Sequence, residues 1–224
     1  VDGNFHIYIA HTNGFIRKFN LRSRIIWIHR THEPITGAPA LWERRLFVVT
    51  TTGRVVAIDT ETGRRLWSRQ VARMVAADAG SVAAHNGIVC VAVAHPVWPK
   101  VANNQVVAMS AISGEVLWRH VPETSVRNWL GSFVEDPPSL VYADQTGSLY
   151  RVSLSTGATL WRTAGNGPTE FTTGGAAIGS NGVAYVASNL ELSTRQGRIG
   201  MLRAHSLSDG SNLWTQSFAK EANS

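Results

Sequence analysis

The chain has 224 residues, 44% of them hydrophobic and 16% charged, so it is apolar enough to bury a sizeable core, and disorder is excluded as its default state. Its single cysteine, Cys90, excludes an internal disulfide framework and the usual Cys-based four-ligand zinc site. The net charge of +6 rests on 18 Arg against 3 Lys, but these are scattered, no run of five basic residues occurs, and nucleic acid is not expected as a partner. No apolar run approaches the roughly 18 residues of a membrane helix. The opening Val1-Asp2-Gly3, without Met or leader, reads either as a chain whose targeting segment was removed or as one that starts inside a longer protein.

Short apolar strands and turns then alternate along the chain. His6–Ala10 is the first strand, followed by a hairpin over GFIRKFNLRSRIIW (14–27). Thr36–Ala40 is a small-residue stretch, Leu46–Thr50 a strand, and GRVVAIDTETGRRLW (53–67) a second hairpin. Ala77–Ala84, Ile88–Ala94 and NQVVAMSAISGEVLW (104–118) repeat that order, with Cys90 as a small core residue. Trp129–Val134, Leu140–Ala143 and GSLYRVSLSTGATLW (147–161) repeat it again. Thr172–Ile178, Val183–Ala187 and GMLRAHSLSDGSNLW (200–214) form the fifth copy. No window carries a 3.6-residue period, so no helix is expected.

The copies share a register. Trp27, Trp67, Trp118, Trp161 and Trp214 close the five hairpins. Gly63, Gly114, Gly157 and Gly210 stand four residues before the last four, and Asp59, Ser110, Ser153 and Ser206 eight before. The first copy is one residue short and lacks the turn Gly. Such a string reads as a hairpin: the Asp or Ser side chain bonds the turn backbone, and the Gly supplies a positive φ. Four short strands, A to D, in about 40–45 residues describe a propeller blade, and one Trp per blade is expected to pack on the neighbouring blade.

The A-x-D-x-x-T-G-x-x-x-W string at 57–67 resembles the PQQ-like β-propeller repeat, in five copies. The resemblance implies an all-β chain of four-stranded antiparallel blades, one domain over 1–224 with blades near 1–30, 31–72, 73–121, 122–164 and 165–218. The family usually has seven or eight blades, and strand A of the first copy is missing. A portion of a larger or incomplete ring is therefore expected, rather than a compact five-bladed one. The family includes quinoprotein alcohol dehydrogenases, non-enzymatic propellers similar to the BamB outer-membrane assembly lipoprotein, and some luminal sensor domains. Its settings imply a periplasmic, luminal or otherwise exported location.

A quinoprotein dehydrogenase, on that resemblance, needs Ca²⁺ ligands, a base carboxylate and commonly adjacent cysteines. This sequence has no adjacent cysteines and no clustered Asp/Asn run, and its 6 Asp and 9 Glu mostly fall in turns and strand ends. No HExxH, nucleophile elbow or P-loop occurs, and His29 and His32 flank a strand end where they are expected to be exposed. The expectation is a non-catalytic scaffold or protein-interaction subunit of a larger, possibly membrane-associated assembly, without metal or cofactor. A ligand-binding or sensor domain of an exported protein, and a portion of a PQQ-dependent dehydrogenase, are the alternatives. Chain direction alternates through a blade, so B–C and D–A connections emerge on one face. The long ones at 95–104, 122–128 and 190–197 are expected to cluster there, with Trp98 as a partner-binding anchor and Lys100, Arg127, Arg195 and Arg198 as a basic rim.

Overall fold

A computed structural model describes residues 1–75, 81–94, 103–127, 129–167, 169–172, 175–193 and 197–222. Trp98, Lys100 and Arg195 lie outside the described residues. Two compact units, Val1–Arg119 and His120–Ser224, are described in turn. The described residues hold strands and no helix, and no helix long and apolar enough to cross a membrane.

In the first unit, β1 (Ile7–Ala10), β2 (Phe15–Phe19) and β3 (Ile25–Arg30) form a three-stranded sheet. The next sheet is β4 (Ala40–Trp42), β5 (Arg45–Val49), β6 (Arg54–Asp59) and β7 (Arg65–Gln70). The third is β8 (Val82–His85), β9 (Ile88–Ala94), β10 (Asn103–Ser110) and β11 (Val116–His120). The pairs within β1–β3, β4–β7 and β8–β10 are antiparallel, and each sheet runs in meander order, with β11 beside β10. The two-residue period of a strand sends alternate side chains to opposite faces. Leu46 and Val48 of β5 therefore join Tyr8, Ile16, Trp27 and Ile35 in one core cluster. Phe47 and Val49 join Val89, Val91, Val107 and Met109 in the other. A middle blade is apolar on both faces for this reason, and its inner strands read as nearly continuous hydrophobic runs. Cys90 is fully buried, and burial pushes its thiol well above the ordinary range.

In the second unit, β12 (Ser132–Val134), β13 (Ser139–Ala143), β14 (Leu149–Ser153) and β15 (Thr159–Thr163) form one meander. The other is β16 (Glu170–Phe171), β17 (Ala176–Gly179), β18 (Val183–Ser193), β19 (Gly197–Ser206) and β20 (Asn212–Phe218). Both β16 and β17 pair with β18, so its A strand is in two pieces. Val141, Leu149, Trp161, Ala184, Val186 and Leu207 fill the core between these sheets. The expected loop at 190–197 is instead largely strand. Backbone pairing continues through Leu190↔Ile199 and Glu191↔Arg198 to Ser193↔Gly197, lengthening the B–C hairpin rather than breaking it.

The turn glycines share one geometry. Gly63, Gly114, Gly157 and Gly210 have φ of 70, 71, 72 and 76°, and each N–H donates to the carbonyl four residues back at 2.8–2.9 Å. The Asp59 carboxylate accepts from the Thr62 N–H at 2.7 Å and the Thr62 hydroxyl at 2.8 Å, bonds that keep it below the ordinary Asp range against the opposing effect of burial. These glycines also make room for an indole. A Cβ on Gly63 would lie 2.8 Å from Trp27, on Gly114 2.7 Å from Trp67, and on Gly210 2.7 Å from Trp161. Each of these tryptophans donates its indole N–H to the carbonyl three residues before that glycine: Thr60 at 2.9 Å, Ala111 at 3.1 Å, Leu207 at 2.8 Å. Trp27, Trp67 and Trp161 thus each seat on the C–D turn of the following blade. In the hairpins closed by Trp27, Trp67, Trp161 and Trp214, the residue before the Trp is the extra one of a β-bulge.

Trp27, Trp118 and Trp161 are buried and Trp67 partly so. Trp214 departs from the expected packing. It is 44% exposed, and every residue of β20 is exposed, because no following turn covers it among the described residues. In place of the turn Gly, the first hairpin has Ser23 at φ 56° in a turn one residue shorter.

Candidate functional site

The B–C turn of the blade formed by β12–β15 and the A strand of the following blade enclose a polar cleft of about 250 Å³ in the second unit. Gln145, Glu170, Phe171, Asn189, Glu191 and Arg198 are among its lining residues. Asp144 organises the turn: it is fully buried, and its Oδ1 accepts the N–H groups of Thr146 at 3.0 Å and Ser148 at 3.1 Å. Tyr150 donates its hydroxyl to the other oxygen at 2.9 Å.

Beneath the cleft lies an ion pair. Arg203 reaches Glu170 at 2.6 Å, with side-chain exposures of 5% and 0%. The same guanidinium nitrogen donates to the Gly147 carbonyl at 2.7 Å, while the other Glu170 oxygen accepts the Asn166 N–H at 2.5 Å. Burial draws the Arg203 pKa down, and the charges of Glu170 and Asp144 oppose that. Gly147 is required at this point, since a Cβ there would lie 2.3 Å from the Glu170 carboxylate. A buried pair of this kind is a fixed support, because removing one partner leaves an uncompensated charge.

The structure brings two of the sequence-predicted residues to this cleft from distant parts of the chain. Arg198, on β19, lines it and pairs at 3.5 Å with Glu221. Arg127, on the D–A connection, donates from Nε to the Gln145 side-chain oxygen at 3.1 Å, and Gln145 lines the same cleft. The tail folds alongside: Gly200 donates to Lys220 at 2.8 Å, and Ala222 donates to the Asn189 side chain at 2.7 Å. Glu170, Glu191, Asn189 and Gln145 were not singled out in the sequence. A lone buried Glu in a strand of only two residues leaves no periodic trace; its partner Arg203, in a long strand, was the available signal.

The chain matches the family described as outer membrane protein assembly factor BamB over residues 12–144, more than half of its length. It belongs to that PQQ-like propeller family. BamB from Moraxella catarrhalis has the same fold at a TM-score of 0.68 and 14% identity, over 96% of this chain and 73% of that one. The quinohemoprotein alcohol dehydrogenase ADHIIG from Pseudomonas putida HK5 matches at a TM-score of 0.62 and 14% identity, over 96% of this chain and 40% of that one. The computationally designed Ika8 protein matches at 0.55 and 12% identity, over 96% and 72%. No curated protein matches the sequence. The propeller fold is therefore shared with a protein named BamB and with an alcohol dehydrogenase. Among the described residues, no three His, Cys, Asp or Glu side chains converge on a point where a metal ion would be held.

Proposed function

We propose that this BamB-family propeller is a non-catalytic interaction subunit of a larger assembly, and that it engages a protein partner through the edge bearing its B–C and D–A connections. One observation carries the reading: the lengthened β18–β19 hairpin. Its pairing runs on to Ser193↔Gly197, with Glu191 opposite Arg198 beside the cleft. A lengthened, charged hairpin beside a firmly supported floor suits recognition of a partner. The wall chemistry is mixed, with two carboxylates, one guanidinium and two amides, which suits polar protein groups. The family's assembly-factor name suggests the outer-membrane protein assembly machinery as the partner class. In sequence, Trp98 between Pro96 and Pro99 supplies the proposed apolar anchor, with Lys100, Arg127, Arg195 and Arg198 as the rim.

The test is affinity capture of the native assembly with Trp98→Ala and with Arg127, Arg195 and Arg198 all replaced by Gln. The Trp98 variant is expected to release the partner faster. The arginine variant is expected to associate more slowly and with a weaker salt dependence. Retention of the partner by both at the wild-type level overturns this reading of the face. Stoichiometric uptake of PQQ with Ca²⁺ overturns the non-catalytic reading.

A further inference from the structure

A separate cavity of about 310 Å³ lies in the first unit, between β3 and the β6–β7 hairpin. His29, Arg30, His32, Arg54, Arg65 and Ser68 are among its lining residues, and no carboxylate lines it. The nearby carboxylate, Glu33, accepts from Thr50 at 2.6 Å, from Thr52 at 2.5 Å and, at 3.1 Å, from the Nε of Arg54, itself a lining residue. Among the described residues, Arg65 has no carboxylate partner; the Arg30 guanidinium sits 5.2 Å from the Phe15 ring centre, on the face of β3 opposite His29, so Arg30 borders the cavity without adding its charge. Arg54 and Arg65 against Glu33 leave an excess of one positive charge, and a proton taken up by His29 supplies a second.

The blade contact itself positions the imidazole. Trp27 and His29 point to the same side of β3, and Trp27 is seated on the turn that contains Gly63. The His29 Nδ1 lies 2.9 Å from the Gly63 carbonyl, which can only accept, so Nδ1 carries the hydrogen. Its other nitrogen is left for the cavity. Burial, followed by the charges of Arg65 and His32, holds the His29 pKa below the ordinary His value.

We propose that this cavity binds a phosphate monoester group. A dianion matches the excess charge. Guanidinium forks bind phosphate oxygens in pairs, and the Ser68 hydroxyl and the His29 and His32 rings supply further hydrogen-bonding groups. The volume sits at the lower end of the roughly 300–1,000 Å³ of small-ligand pockets, which suits a compact anion rather than an extended cofactor. The group has two sources, soluble phosphate or the headgroup of a phosphatidic acid lipid. This inference is independent of the protein-interaction reading above.

Inorganic phosphate is titrated into the full chain while the imidazole NMR signals of His29 and His32 are followed. Phosphate is expected to move both signals. Arg65→Gln is expected to weaken its binding by roughly tenfold, the effect of losing one charge-assisted hydrogen bond, whereas Arg30→Gln, on the opposite face of β3, is expected to bind like wild type. Arg64→Gln, next door in the turn but outside the cavity, is expected to bind like wild type; melting curves of all three confirm folding. Flotation with phosphatidylcholine vesicles, with and without phosphatidic acid, separates the sources. Flotation that needs phosphatidic acid and is lost in Arg65→Gln assigns the lipid headgroup, and phosphate binding without flotation assigns the soluble ion. Phosphate that leaves both histidine signals in place, or that binds wild type and Arg65→Gln alike, overturns the proposal.

Discussion

Trp161 and Trp214 close successive copies of the same string, L-W after a positive-φ Gly, yet one is 9% exposed and the other 44%. Their hairpins share the bulge, the turn hydrogen bonds and the four-residue spacing from Gly to Trp. What differs lies on the far side of each ring. Trp161 rests on the Gly210 turn and donates to the Leu207 carbonyl; Trp214 has Tyr185 of its own sheet at 6.0 Å between ring centres. The motif therefore builds a Trp knob in every blade, while the next blade's turn decides whether the knob is core.

The largest expected effect follows from that difference. Trp161→Ala should cost about 3–5 kcal/mol, the range for a large core aromatic. Trp214→Ala should stay within about 1 kcal/mol, as for an exposed site. Urea denaturation of the two variants compares them, and equal losses break the comparison. Next comes the seat. Gly210→Ala combines a positive φ with overpacking against Trp161 and should cost about 2–4 kcal/mol. Gly182 has a similar φ of 73° but nothing near its Cβ, so Gly182→Ala should cost only about 1–2 kcal/mol. The excess at Gly210 isolates the indole contact.

A smaller effect acts on the same seat through pH. The His205 Nδ1 lies 3.1 Å from the Gly210 carbonyl, and burial lowers its pKa below 6.5; burial lowers that of His120 as well. Because the folded pKa values lie below the unfolded one, the unfolded chain takes up these protons first. Stability is then full above about pH 6.5 and falls as pH drops through the unfolded value toward the folded ones. Melting temperatures between neutral and mildly acidic pH should decline, and His205→Asn should decline less steeply. The smallest effect is spectroscopic. Trp214→Phe should remove more of the acrylamide-quenchable fluorescence than Trp161→Phe, and the reverse order would contradict the exposures.

The two candidate sites differ in how far they were legible. Arg127 and Arg198 could be placed near each other from strand alternation alone, since connections of one kind return to one end of a sheet. The ion pair Glu170–Arg203 could not, because its partners are 33 residues apart and neither belongs to the repeat. The cationic cavity was only partly legible: His29 and His32 were expected as exposed strand-end residues, and His32 is exposed, whereas His29 is half-buried against the next blade's turn. A sequence shows that a histidine follows the Trp by two residues. It does not show that the neighbouring turn leaves a carbonyl facing it.

By itself, the sequence determined the repeated unit: the period, the hairpins, the positive-φ glycines and the side of each strand that turns inward. All of these follow from local rules, the two-residue alternation of a strand and the steric freedom of Gly, which act within a few residues. The tertiary structure decided what each unit meets. The exposure of Trp214, the continuation of β18 and β19 past their expected ends, and the gathering of His29, Arg54 and Arg65 around one cavity depend on surfaces brought together from separate blades. Identical local strings then acquire different environments, because burial and electrostatic fields are set by neighbours in space.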